Sequence, residues 1–393
     1  MSMLVGLLFV CVIFIFLNVV EVKAETKTIV VPDNFSTIQA AIDNANDGDT
    51  IFVKNGVYQV NAESLIVIDK TVSLKGENSE NTIVLGVFNT PVSGSAPAIR
   101  VAAPDVTISG FTIRDCKTAI SIVNYEGERS PTGCRIVSNN ILNNSEGIRP
   151  QVNNVYLSSN TIADNGVGIA GYNTENVVVS GNTITGNGYG VNIAVCKKIT
   201  IKNNYISNNT GGIKLSYYGP HSVYGNNITH NSWGIRFAEG CQNAEVYENS
   251  ISKNGVGVVL MIFPNGGNVA VSGVGNKVFY NMITGNTKQV EYYQLNTHYP
   301  ETWSLGTDII QWDNGTVGNY WGTHHGLDKN EDGIADSPYT IDENNQDNYP
   351  LMNPIELTVI PEFPSWFMLP ILVSVTAVVI LYKKKLAKTP NWL

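Results

Sequence analysis

An acidic segment near the end of the sequence has the spacing of a calcium-binding loop. Its candidate ligands are oxygen donors placed as in loops that wrap one hard cation. They are Asp328, Asn330, Asp332, the backbone carbonyl of Ile334, and Asp336. The twelfth position is Tyr339, so the bidentate Glu of a complete EF-hand is missing. We expect a weak, structural Ca²⁺ site, the alternative being an acidic surface turn.

Two aromatic residues have the spacing of a binding surface. Tyr189 and Trp233 lie two periods apart in an internal repeat of about 22 residues, and Gly211 occupies the equivalent position between them. Equal phase in a repeat places side chains on one side of the fold, where aromatic rings can stack on sugars. We therefore expect two exposed aromatics that bind a carbohydrate; ordinary turn aromatics are the alternative.

Five Asn-x-Ser/Thr sequons could accept N-linked glycans. Their asparagines are Asn34, Asn143, Asn208, Asn227 and Asn314. Asn143, Asn208 and Asn227 lie beside repeated asparagines, in segments that we expect to be turns rather than strands.

The element that positions these residues is the repeat, which reads Asn-x-Ile-x-x-Asn. It begins at Asn139, Asn160, Asn182, Asn204, Asn226, Asn249 and Asn281. Six copies continue with Gly and an aliphatic residue, and the segment Phe111–Ile120 resembles an eighth, degraded copy. Repetition at a fixed period indicates a solenoid.

Within each copy, apolar residues alternate at the spacing of strands. With the central Ile as position zero, they recur at −5 and +7, and in later copies at +9. Asn and Gly lie between these stretches, where the chain must bend. Asn at −2 and +3 should stack into polar ladders. The pattern predicts an all-β fold, a parallel β-helix of about 22 residues per coil. An amphipathic helix over 36–45 would cap its N-terminal end.

Three motifs then carry a resemblance to a known family. They are Thr37-Ile38-Gln39-x-Ala41-Ile42, Gly48-Asp49-Thr50-Ile51 and Gly56-Val57-Tyr58. With the phased repeats, they make the sequence similar to the pectin-lyase-like superfamily of right-handed parallel β-helices. Within it, the chain resembles NosD-type proteins, often labelled periplasmic copper-binding, and their archaeal surface relatives. The segments 318–321 and 339–350 look like the end of that domain, so the resemblance covers about 28–352.

The resemblance implies copper, which prefers clustered Cys, Met or His ligands. Beyond residue 24, the cysteines are Cys116, Cys134, Cys196 and Cys241. Cys196 and Cys241 are two coils apart, too far for a disulfide. The adjacent His324 and His325 should point to opposite faces of a strand. The sequence therefore supports copper only weakly.

Many β-helices act on uronic acid polymers, which makes a polysaccharide lyase or epimerase another possibility. Tyr218-Gly219-Pro220-His221 resembles an element of mannuronan epimerases, but that element's Asp is absent. By phase, His221 should point inward. A lyase needs a basic residue beside acidic groups in a groove. The sequence shows no such cluster, since the basic residues of the repeats are dispersed. These residues are Lys197, Lys198, Lys202, Lys214 and Arg236.

The ends of the chain have the composition of targeting segments. An apolar run before Ala24 is typical of a signal peptide, or of an uncleaved anchor. The apolar run 366–382, followed by three lysines, predicts a membrane span with a cytoplasmic C-terminus. The preceding Pro361-Glu362-Phe363 resembles the PEF-type sorting signal of archaeal surface proteins, which implies transfer to a lipid.

Net charge argues against one class of partner. The chain carries a formal charge of −9; residues 1–24 carry no net charge and the last 33 residues carry +3, so the stretch 25–360 carries −12. Nucleic-acid binding normally needs a basic surface. We therefore expect no nucleic-acid partner, and instead a cell-surface polysaccharide or an envelope protein.

Together these patterns divide the chain into seven segments. They are a signal peptide (1–24), an N-terminal cap with the first coil (25–60), β-helix repeats (61–295), a C-terminal region with the calcium-type loop (296–352), a linker with the sorting motif (353–363), a transmembrane helix (364–382) and a basic cytoplasmic tail (383–393). The expected function is a surface-anchored structural or ligand-binding module. A NosD-type copper accessory protein and a polysaccharide lyase or epimerase are the alternatives.

Overall fold

The computed structural model describes residues 26–61, 63–86, 96–127, 129–265, 268–271, 274–294, 310–343 and 345–356. Within them the chain winds through three long sheets of eleven strands each, and each coil contributes one strand to each sheet. Neighbouring strands in a sheet belong to successive coils and run parallel, apart from one antiparallel hairpin in the third sheet. The predicted parallel β-helix is confirmed.

The first sheet contains β1 (Thr28–Val31), β2 (Thr50–Val53), β5 (Ser73–Gly76), β8 (Thr107–Ser109), β11 (Arg135–Val137), β14 (Tyr156–Ser158), β17 (Val178–Ser180), β20 (Ile199–Lys202), β23 (His221–Tyr224), β26 (Ala244–Tyr247) and β30 (Lys277–Val278). The second contains β3 (Gly56–Val60), β6 (Thr82–Gly86), β9 (Thr112–Arg114), β12 (Asn140–Leu142), β15 (Thr161–Ala163), β18 (Thr183–Thr185), β21 (Tyr205–Ser207), β24 (Asn227–Thr229), β27 (Ser250–Ser252), β31 (Met282–Thr284) and β33 (Tyr320–Trp321).

The third sheet contains β4 (Ile66–Ile68), β7 (Pro97–Val101), β10 (Thr118–Val123), β13 (Glu146–Gln151), β16 (Val167–Tyr172), β19 (Tyr189–Ala194), β22 (Gly211–Ser216), β25 (Trp233–Phe237), β28 (Val256–Asn265), β29 (Asn268–Val271) and β32 (Lys288–Gln294). A separate two-stranded sheet pairs β34 (Tyr339–Thr340) with β35 (Gln346–Asp347).

The core lies inside the cylinder and is built from stacked aliphatic rows. The central Ile of each coil pairs in register with the next, as in Ile162↔Ile184↔Ile206, and these side chains are fully buried. Burying an aliphatic side chain of this size contributes about 1.5–3 kcal/mol. Because each coil adds one Ile to the same row, the repeat itself fixes the register of the strands.

Two rows of buried Asn side chains run parallel to this core, as the repeat predicts. In one row, Asn204 Nδ2 donates to Asn226 Oδ1 at 2.9 Å and to the Val179 carbonyl at 3.0 Å. Its Oδ1 accepts from Asn182 Nδ2 at 3.0 Å and from the Asn182 backbone N–H at 2.9 Å. The side-chain amides thus satisfy backbone groups at the bends, where the sheets cannot pair them.

The row formed by the Asn at position −2 of each copy ends on a buried carboxylate, that of Asp347. Asn281 donates to Asn319, and Asp347 Oδ2 accepts from the Asn319 backbone N–H at 2.6 Å and from Trp321 Nε1 at 2.8 Å. Burial is the largest effect on Asp347 and raises its pKa to about 6, although these donors oppose the shift. A Cβ at Gly318 would lie only 1.7 Å from Asp347 Oδ1, so this position accepts only glycine. The segments that resemble the end of a NosD-type domain therefore close the ladder.

The N-terminal end is covered by the predicted helix, α1 (Ile38–Asp43). The Thr37 hydroxyl caps it by accepting from the Ala40 backbone N–H at 3.1 Å. Ile38, Ala41 and Ile42 are buried against the first coils, which protects the strand edges there.

No helix among the described residues is long and apolar enough to cross a membrane. The predicted signal peptide (1–24), sorting motif (361–363), transmembrane helix (364–382) and tail (383–393) lie outside the described residues.

Candidate functional site

The third sheet brings the two predicted aromatic residues together. The ring centroids of Tyr189 and Trp233 are 5.8 Å apart and the rings meet edge to face. They meet because Gly211 lies between them: a Cβ there would be 2.0 Å from Trp233 Cζ2, so the indole lies directly over this glycine. The expected exposure is wrong for Trp233, which is only 7% exposed, while Tyr189 is half-buried.

Arg236 covers this aromatic pair. Its Cζ lies 4.1 Å from the ring centroid of Trp233 and 5.4 Å from that of Tyr293 on β32. A guanidinium over an aromatic face is attracted by the π-electrons and loses much of its rotational freedom. Burial is the main cause that lowers the pKa of Arg236. The arrangement holds a planar cation at the surface in a defined orientation.

Lys214 and Arg236 are direct neighbours on the third sheet. They pair in register across β22 and β25, and Asn192 on β19 pairs with Lys214 on the other side. The interpretation of these basic residues as dispersed is therefore wrong for this pair. All three lie eight residues after a central Ile, so their shared phase could have identified the row from the sequence.

The same row contains polar atoms without partners. Asn192 Oδ1 and Arg236 Nε are buried and make no hydrogen bond to any of the described residues. This contrasts with the Asn ladders, whose amides are bonded through both oxygen and nitrogen. Unpaired polar atoms are costly inside a protein, and they often mark a place where a partner comes from outside the chain. We call this surface the third-sheet patch. Its residues are Tyr189, Asn192, Gly211, Lys214, Trp233 and Arg236.

His221 lies inside the cylinder, as its phase predicts. It is 1% exposed, and its Nδ1 accepts the Ile199 backbone N–H at 3.4 Å, while Nε2 has no partner in the part of the chain that the structure describes. Burial lowers its pKa to about 4, which keeps the imidazole neutral near pH 7. A ligand on the surface cannot reach this ring, so His221 does not fit the role of a catalytic base.

The described residues do not form a binding site for copper. No group of three or more His, Cys, Asp or Glu side chains among them is arranged to hold a metal. Cys116, Cys134, Cys196 and Cys241 are free, buried thiols. Burial raises the pKa of Cys134 to about 11 and that of Cys241 to about 12, so the thiolate that binds copper is disfavoured. The two imidazoles of His324 and His325 have different environments, one half-buried and one exposed.

The structure does not support the expected Ca²⁺ site either. The carboxylates of the loop accept hydrogen bonds from the loop itself: Asp328 from the backbone of Asp332 and Gly333, and Asp336 from the backbone of Lys329. Asp332 Oδ2 accepts from Asn330 Nδ2 at 2.8 Å, and Ile334 forms a bridge to Leu351. The contacts within the described segment are those of a self-closed turn.

Four of the five sequon asparagines are exposed outside strands. They are Asn34, Asn143, Asn208 and Asn314. The expectation of a turn is wrong for Asn227, which is half-buried and is the first residue of β24. Attachment of a glycan at any of these positions stays a prediction.

Comparison with known proteins agrees with this architecture. The family model described as "Periplasmic copper-binding protein (NosD)" matches residues 42–261 and 128–326. No curated relative matches the sequence. Among solved structures, the chain is similar to the A-module of the mannuronan C-5 epimerase AlgE4 from Azotobacter vinelandii. The identity is 17%, the TM-score is 0.52, and the match covers 73% of this chain and 92% of that one. It is also similar to an alginate lyase from Paenibacillus, with 15% identity, a TM-score of 0.47 and coverage of 68% and 98%. At these identities the likeness concerns the right-handed β-helix fold alone.

Proposed function

The chain belongs to the NosD family of periplasmic copper-binding proteins, and we propose that it acts as an extracytoplasmic module that binds polysaccharide. The binding surface is the third-sheet patch. Its partner is a polysaccharide of the cell surface, and an envelope protein is the other partner class that the sequence suggests.

The proposed location follows from the ends of the sequence. A signal peptide over 1–24 would export the β-helix, and a membrane span over 364–382 would hold it at the outer face of the plasma membrane. The periplasmic description of the family supports the same side of the membrane. At this location the module would meet extracellular polymers.

One observation carries the proposed binding function. The third-sheet patch combines the half-buried ring of Tyr189, two cations and unpaired polar atoms within three successive strands. Sugars offer both apolar ring faces and hydroxyl groups, which match such a mixture. The flat, repetitive outer face of a β-helix also suits an extended polymer, because equivalent positions recur about every 4.8 Å.

Binding of the full-length protein to a glycan array tests the proposal. Asn192→Ala and Tyr189→Ala should each weaken the strongest glycan signal several-fold, since each removes one contact of about 1 kcal/mol. Thr200→Ala changes an outward residue of the first sheet and should leave binding unchanged. A protein that binds no glycan, or whose binding is unaffected by both patch variants, would contradict the proposal.

A polysaccharide lyase is the second candidate, because Lys214 and Arg236 lie side by side near Tyr189. β-Elimination needs a cation to neutralise the uronate and a base to remove the proton beside it. Release of unsaturated products from uronate polymers, measured by ultraviolet absorbance, would favour this function. Tight binding without product release would favour the binding function over the lyase.

A further inference from the structure

The pairing of two cations in the third-sheet patch requires an explanation. Lys214 and Arg236 are in direct register on adjacent strands, which are separated by about 4.8 Å. Among the described residues neither forms an ion pair. Like charges directly opposite each other destabilise a sheet, and they do so more strongly when the site is partly buried.

Several other basic residues of the rod do have a carboxylate partner. Arg149 lies in the same outward row, three coils before Lys214, and pairs with Glu146. Lys288 on β32 pairs with Glu291. Lys198 pairs with Glu175 at 2.7 Å. The chain therefore supplies carboxylate partners to several of its cations, but no described carboxylate forms an ion pair with Lys214 or Arg236.

We propose that an acidic glycan provides the missing carboxylate, which binds between Lys214 and Arg236. This rests on the proposed polysaccharide-binding function and names its substrate class. The guanidinium is already fixed between Trp233 and Tyr293, so its fork can meet a carboxylate without a large loss of rotamer entropy. The ammonium of Lys214 adds the second charge.

The neighbouring contacts favour a sugar acid over a simple anion. Asn192 lies in the same row next to Lys214, and its Oδ1 has no partner among the described residues, so the amide can turn to meet a hydroxyl donor. Tyr189 is the outward residue that precedes Asn192 on β19, and it presents a half-buried ring. Inorganic phosphate would use only the two cations. A uronate residue uses the cations, the amide and the ring.

The experiment compares uronate oligomers with their carboxyl-reduced counterparts. Oligomers of mannuronate, guluronate, galacturonate and glucuronate are titrated into the full-length protein by calorimetry, each beside its neutral partner and beside inorganic phosphate. We expect at least one acidic oligomer to bind at least tenfold more tightly than its reduced form and than phosphate. Its affinity should fall as salt rises, because the contact is ionic.

Variants assign the binding to the patch. Lys214→Gln and Arg236→Gln should each reduce the affinity about tenfold, and Arg236→Lys should restore part of it, since it keeps the charge and loses the fork. Lys202→Gln removes an outward lysine of the first sheet and serves as the matched control. In the absence of ligand, Lys214→Gln should raise the melting temperature because it removes the repulsion with Arg236.

The possible results separate failure of the acidic-glycan site from failure of the proposed binding function. If acidic and reduced oligomers bind equally and Asn192→Ala weakens both, the surface binds polysaccharide but the inferred acidic class is wrong. If the Lys214 and Arg236 variants bind acidic oligomers as the wild type does, the inferred site is wrong. If no oligomer of any kind binds, the inference fails together with the proposed function. Binding of phosphate as tight as that of the oligomers would also overturn it.

Discussion

The Asn ladders should be the most sensitive polar element of the fold, and Asn226→Ala tests this. The substitution removes the Oδ1 that accepts both the backbone N–H and Nδ2 of Asn204. It also removes the Nδ2 that donates to Asn249 Oδ1. Two buried N–H groups of Asn204 lose their acceptor, and each orphaned donor costs about 1–3 kcal/mol. The expected loss is therefore about 2–6 kcal/mol in the free energy of unfolding.

The matched control is the next residue in the chain. Asn227 begins β24 and points away from the ladder, so Asn227→Ala should change the free energy of unfolding by less than about 0.5 kcal/mol. Both variants are expressed without glycosylation and unfolded in guanidinium chloride, followed by circular dichroism. If Asn226→Ala lowers the free energy of unfolding no more than Asn227→Ala does, the ladder hydrogen bonds do not stabilise the fold as expected.

Three further predictions concern single positions. Gly211→Ala should displace the Trp233 ring, because the new Cβ would lie 2.0 Å from it; tryptophan fluorescence should shift to longer wavelength and stability should fall by about 1–3 kcal/mol. Asp347 has its pKa raised to about 6, so its contribution to stability is present below about pH 4 and is lost as pH rises through 6. Asp347→Asn should abolish that decline in a pH series of unfolding curves, and an unchanged profile would contradict it. His221 has its pKa lowered to about 4, so its contribution is present above about pH 6.5 and is lost as pH falls through 4. His221→Val should stabilise the protein and flatten this acid loss, since Ile199 and Ala244 occupy the equivalent positions; a less stable variant would show that the imidazole is needed.

The fold could be predicted because its determinants repeat. A central Ile such as Ile184, and a ladder Asn such as Asn204, recur at one phase, so a single rule places every copy. The closing carboxylate Asp347 could not be predicted in the same way. It occurs once, beyond the last copy of the repeat, and its role depends on a segment that returns to Asn319 across 28 residues.

The candidate site could be predicted only in part. The shared phase of Tyr189 and Trp233 gives the correct side of the fold, but it does not indicate how deeply each side chain is buried. Trp233 is buried because the glycine below it leaves room for the indole and because Arg236 covers it. The calcium-type spacing around Asp332 is a local pattern, and the same carboxylates can close a turn with their own backbone.

Glycan binding at the third-sheet patch is tested most directly by a crystal structure of the full-length protein with the glycan that it binds most tightly. We expect density for the glycan on the outer face of the third sheet, with a carboxylate in contact with Lys214 and Arg236. Density for the glycan on the first or second sheet, with these two side chains left free, would contradict this expectation.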